Sequence, residues 1–140
     1  MADHYQLTDS EFEQSFENRS LDPRLFNHEA HLRLAWIHIT KYGLEQAIVN
    51  LSEQIYNFAY NLGAKDKFNT TVTLAAVRAV YHFMLKAESK NFRDFINEFP
   101  QLKNNFKGLS AQHYDINIFD SELARSSFLE PDRLPFDCIK

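Results

Sequence analysis

Between Leu44 and Leu62 the apolar residues Leu44, Ile48, Leu51, Ile55, Phe58 and Leu62 recur at alternating steps of four and three. That spacing keeps all six on one stripe of an α-helix and would scatter them over both faces of a strand. Ala47 and Ala59 widen the stripe. A helix of about five turns with a single apolar face is stable only when that face is packed against other helices. The segment therefore commits the chain to a helical bundle.

The flanking sequence carries start and stop signals of the same kind. Thr8-Asp9-Ser10-Glu11 has the form of a capping box, and Phe12 and Phe16 then lie one turn apart, which predicts a short helix over ~9–18. Asp22-Pro23 is a second start signal, but Asn27 is the better cap for a long helix over 28–42 that stops at Gly43. Gly43 leaves almost no loop, so this helix and the next must form an antiparallel hairpin or bend sharply. A fourth helix is predicted over ~67–87, with Val72, Ala76, Val80 and Phe83 as its apolar face and a strand at Thr70–Thr73 as the competing assignment. Asn91 caps a short fifth helix ending before Pro100, and Asp120-Ser121-Glu122-Leu123 begins a last one. Leu102, Phe106 and Leu109 suggest one or two irregular turns between them. Gly43, Gly63 and Gly108 are all placed like helix stops. The apolar tail (Phe128, Leu129, Leu134, Phe136) is expected to lie across the bundle. The result is an all-α, single-domain bundle over residues 1–140, with about five to six helices and an irregular C-terminal tail.

Composition narrows the function classes. A net charge of −4 with no basic stretch argues against nucleic acid. No apolar run approaches the ~18 residues of a membrane span, and the first residues lack the pattern of a signal peptide. The lone Cys138 cannot form an internal disulfide. A cytoplasmic protein without nucleic-acid or membrane partners is expected, and a homodimer is compatible with all of this. No glycine-rich phosphate motif is present.

His28-Glu29-Ala30-His31 is the one candidate site. With His28 at zero on a helical wheel, Leu32, Ala35, Trp36 and Ile39 fall at about 40°, −20°, 80° and 20°, so His28 is expected in the apolar face and His31 at its border. Both sit at the positive end of their helix, and partial burial acts in the same direction, so both are expected neutral at pH 7. If successive long helices run up, down and up, Asn69 and Thr73 on the fourth helix meet His28 and His31 at one bundle end, forming a pocket for a small molecule or an ion. Passive roles compete: Asn69 as a helix cap, His31 stapled on Phe26, His28 bonded to a backbone carbonyl. His4, His38 and His82 are expected to be structural. Two histidines one turn apart suit zinc or iron but need further ligands, for which only His113 and Asp115 stand out. Glu29 points about 100° away, and neither a second Glu-x-x-His nor a zinc-protease motif occurs. No cofactor is predicted.

Phe26-Asn27-His28-Glu29-Ala30-His31-Leu32-Arg33-Leu34-Ala35-Trp36 resembles the F-x-H-x-x-H-L-x-x-A-W signature of a small uncharacterised bacterial helical family. Lys67-Phe68-Asn69-Thr70-Thr71-Val72-Thr73 is similar to a second family segment, K-[YF]-H-E-T-[IV]-T, and Phe128–Arg133 also looks familial. The resemblance implies that His28, His31, Thr71 and Thr73 are family site positions. It breaks at Asn69-Thr70, where the family carries His-Glu. Loss of that imidazole and carboxylate leaves Asn69 able to hydrogen-bond a ligand but poorly suited to move a proton. The expectation is a ligand-binding helical protein, with a non-catalytic protein-interaction or regulatory module as the alternative.

Overall fold

Caps set the helix boundaries. In the computed structural model, which describes residues 4–63, 68–114, 118–119, 121–129 and 131, the Thr8 hydroxyl accepts from the Glu11 amide and the Glu11 carboxylate accepts from the Thr8 amide. This capping box opens α1 (Asp9–Glu17). The Asn27 side chain accepts from the Ala30 amide at 2.8 Å and opens α2 (His28–Tyr42). Each such cap is worth about 1 kcal/mol. Gly43, at φ +85°, ends α2 and starts α3 (Leu44–Asn61) with no intervening loop. That backbone angle is costly for any residue with a Cβ. The remaining helices are α4 (Thr70–Met84), α5 (Phe92–Glu98), α6 (Gln101–Asn104), α7 (Phe106–His113) and α8 (Glu122–Ser126). Among the described residues there is no strand, and no helix is long and apolar enough to cross a membrane. The architecture is all-α, as predicted.

The chain divides into two compact units, Met1–Phe68 and Asn69–Lys140. In the first, α2 and α3 pack as an antiparallel hairpin. Phe26, just before α2, meets Phe58 near the end of α3 at 5.3 Å between ring centroids, while His38 and Asn50 face each other near the Gly43 turn. Phe16 of α1 closes this aromatic cluster, at 4.8 Å from Phe26 and 4.7 Å from Phe58. Burying the Phe16 and Phe58 rings contributes roughly 1.5–3 kcal/mol each. α1 is also tied to the end of α2 by Glu13, whose carboxylate accepts from Lys41 Nζ at 2.8 Å and from the Tyr42 hydroxyl at 2.6 Å. Burial pushes the Glu13 carboxyl up, but these two bonds outweigh it and hold the group below its ordinary value. α2 is buried around most of its circumference (Ala30, Leu32, Arg33, Leu34, Ala35, Ile37, His38 and Ile39), so it is the central helix of the unit.

In the second unit α4 is buried to a similar degree, and Phe83 stacks near Phe99, which in turn meets Phe95. α4 takes up Thr70–Thr73, where a strand had been the competing assignment. It begins three residues later than predicted because Asn69 is its cap. Two of the three glycines are helix stops, Gly43 and Gly63, both with positive φ. Gly108 is not: it lies inside α7, where a Cβ would fall 2.5 Å from the Asn105 side chain folded over that turn. The tail is fastened across the unit as far as Leu129 (below); Leu134, Phe136 and Cys138 lie outside the described residues.

Candidate functional site

The two histidines of the candidate site exchange the roles assigned by the helical wheel. His28 is exposed, whereas His31 is half-buried with its Nε2 enclosed. A wheel treats a helix as endless, but His28 is the first residue of α2, and side chains tilt toward the N-terminus, so it has no preceding turn of the helix to lie against. His31, one turn further in, lies against Phe26 at 6.1 Å between ring centroids. Phe26 is the residue before the cap and His31 the fourth of the helix, so the pair forms the staple that fixes how the chain enters α2. Burial first, and then the nearby His28, push the His31 pKa from 6.5 down to about 4. Its ring is therefore neutral at pH 7, as predicted. Nε2 has no hydrogen-bond partner.

His38 repeats part of this pattern two turns along α2. Asn50 Nδ2 faces its Nδ1 at 3.4 Å. An amide NH2 only donates, so Nδ1 accepts and the ring proton sits on Nε2, which is enclosed and partnerless. Burial lowers its pKa as well. At 1% exposure His38 is sealed, whereas part of His31 still reaches the surface.

Asn69 and Thr73 fall in the second unit. The Asn69 Oδ1 accepts from the Val72 amide at 2.9 Å and its Nδ2 donates to the Ile118 carbonyl at 2.8 Å, so both ends of the amide are engaged there. Thr73 is buried one turn on, at 5% exposure. The residues between continue the series. Thr70 Oγ1 donates to the Arg125 carbonyl at 2.8 Å, and Thr71 Oγ1 donates to the Ser127 carbonyl at 2.9 Å while accepting from the Leu129 amide at 3.0 Å. Tyr114 adds a hydroxyl bond to the Leu129 carbonyl at 2.7 Å. Three consecutive side chains at the start of α4 thus fasten the C-terminal segment by its backbone. This clamp was not legible in the sequence, because its partners are main-chain atoms with no residue signature.

The most polar buried constellation was also missed. His4, fully buried, places Nε2 3.2 Å from Glu29 Oε1 and Nδ1 3.2 Å from Arg33 Nη1. The Arg33 guanidinium also donates to the carbonyls of His4 and Leu7 (2.6 and 2.9 Å) and to Asp9 Oδ1 (2.8 Å), and it lies 4.9 Å from the Phe12 ring centre. A guanidinium can only donate, so His4 Nδ1 accepts and Nε2–H points at Glu29. The arrangement looks like a carboxylate–histidine dyad, but its second nitrogen is capped by a cation and no lone pair is left to take a proton. It anchors the N-terminal turn to α2. The one sequence hint was Glu29 and Arg33 four residues apart on the same helix.

No group of three or more His, Cys, Asp or Glu side chains among the described residues is placed to hold a metal ion. Of the two further ligand candidates, His113 ends α7 and Asp115 lies outside the described residues. No family model, curated protein or solved structure matches the chain.

Proposed function

We propose that the chain is a ligand-binding helical protein in which the neutral imidazole of His31 is the recognition group and His28 stands beside it at the surface. The observation that carries the proposal is the enclosed Nε2, without a partner among the described residues, on a residue that is itself still partly exposed. A buried polar atom without a partner costs about 1–3 kcal/mol, which a ligand able to hydrogen-bond it would recover. Because the ring is neutral, it selects by hydrogen bonding and not by charge. Small uncharged molecules bearing an amide or hydroxyl are the chemistry it fits.

The test is side-chain nitrogen NMR of the imidazoles during titration with acetamide, propanol and glycerol. A saturable shift of the His31 Nε2 resonance with at least one of them, absent from the other histidines, is expected. The corresponding backbone shifts around Phe26 should disappear in His31→Phe. No saturable response to any of the three, or backbone shifts that persist in His31→Phe, overturns the proposal. A second reading, a protein-interaction module, is supported by a different observation: the outer face of α3 carries exposed Val49, Tyr56 and Tyr60 in one line.

A further inference from the structure

Building on the interaction reading, we infer that the outer face of α3 docks a basic, amphipathic helical segment of a partner protein. Taking Val49 as zero, Tyr56 and Tyr60 lie at about −20° and +20°, and Glu45 and Glu53 at about −40° and +40°. The packed residues Ala47, Leu51 and Phe58 fall on the opposite side, near 180°. The outer line therefore runs Glu45, Val49, Glu53, Tyr56, Tyr60 over ~22 Å of helix. Val49 is 58% exposed, Tyr56 41% and Tyr60 61%. Single exposed apolar residues are ordinary; three in one line on the outer face of a helix, interleaved with acids, make a mixed apolar and acidic face suited to a contact surface. Tyr56 lies 6.3 Å from Tyr60 and edge-on to Phe68 at 5.4 Å, so the C-terminal half of the line is an aromatic ledge.

Charge decides the occupant. α3 contains no Lys or Arg, and among the described residues neither Glu45 nor Glu53 is in an ion pair. The last turn of the helix, under Tyr60, has no basic residue to offset the negative end of the helix dipole. Carboxylates, the Tyr56 ring and a helix C-terminus all attract cations, and an exposed tyrosine face accepts Lys or Arg directly. A second copy of the chain is a poor occupant. Pairing two α3 helices antiparallel about the middle of the line sets Glu53 against Glu53, and parallel pairing sets each glutamate against itself, both repulsive. Nucleic acid and anionic lipid are repelled for the same reason. A helix with Lys or Arg one turn apart, flanking apolar residues that cover Val49 and the tyrosines, meets every feature of the line.

The experiment titrates the full chain with a 15-residue amphipathic Leu/Lys helical peptide and its Leu/Glu counterpart, by calorimetry (peptide length ~22 Å, matching the line). The Leu/Lys peptide is expected to bind and the Leu/Glu peptide not to. Tyr56→Ala/Tyr60→Ala and Glu45→Lys/Glu53→Lys should each weaken binding about tenfold or more, while the charge-matched exposed control pair Glu88→Lys/Glu122→Lys changes it by less than about twofold. All substituted side chains are exposed, and unchanged circular dichroism confirms the fold. Equal loss in the control pair means general charge attraction and overturns the inference. Stripe-dependent binding of the Leu/Glu peptide, or stripe-dependent self-association in sedimentation, overturns the basic partner but leaves an interaction surface. Binding that no stripe substitution alters removes both.

Discussion

Lowering the pH from 7.5 to 4.5 should destabilise the native chain through His31 by an amount that a His31→Phe variant does not lose. The folded-state pKa is depressed from 6.5 to about 4. As pH falls through 6.5 the unfolded imidazole takes up a proton while the folded one refuses it until about 4. In that window the unfolded state binds more protons, so stability is full above the unfolded pKa and drains away as pH falls. At about 1.4 kcal/mol per pKa unit the full shift corresponds to roughly 3 kcal/mol, and the partial exposure of the residue brings the expected loss at pH 4.5 to about 2 kcal/mol. Urea unfolding of both proteins at the two pH values, followed by the fluorescence of the single Trp36, measures it. Carboxylates that titrate over the same range are common to the two proteins and cancel in the difference. Losses that agree within about 0.5 kcal/mol would refute the enclosed neutral imidazole, as would an NMR titration of His31 centred near 6.5. Replacing His28 with Ala should raise the His31 pKa, since His28 is the second cause of its depression.

The buried network around Arg33 predicts an order of effects. Arg33→Met removes the cation that holds His4 and two backbone carbonyls, and should cost about 3 kcal/mol in chemical denaturation. Asp9→Asn, at a half-exposed carboxylate, should cost under about 1 kcal/mol, and the reverse order would show that the network is not what anchors the N-terminal turn. In the second unit Thr71→Val preserves shape but deletes the bonds to Ser127 and Leu129, for an expected loss of about 2 kcal/mol. Hydrogen exchange should quicken at the Leu129 amide. An unchanged rate there would mean that the clamp does not hold the tail.

What was legible in the sequence lies within about one helical turn of itself. The Thr8 capping box, the Asn27, Asn69 and Asn91 caps and the Gly43 turn each depend on atoms within four residues. Residue type and spacing encode them directly, which is why the helices fall close to where they were read. The tail was expected to pack through its apolar content; as far as Leu129 it is held by hydrogen bonds from Thr71 and Tyr114 to its backbone. Gly108 misled because a glycine inside a helix and a glycine that ends one look alike until the Asn105 side chain is placed.

The candidate site shows where local information stops. Spacing identified His28 and His31 as a pair, and their place at the positive end of a helix with partial burial predicted neutral imidazoles. Which of the two is enclosed depended on the end of α2 and on Phe26, and the structure reversed the assignment. The His4–Arg33 contact spans 29 residues and the Thr71–Leu129 bond spans 58. Interactions over such separations form only when hydrophobic packing has already brought the elements together, and they often end on backbone atoms that every residue carries. The sequence by itself determined an all-α chain and most of its capped helix ends to within about one turn. Tertiary structure decided which polar groups are satisfied, and so that Asn69 is engaged within its own unit while His31 is left with an open nitrogen.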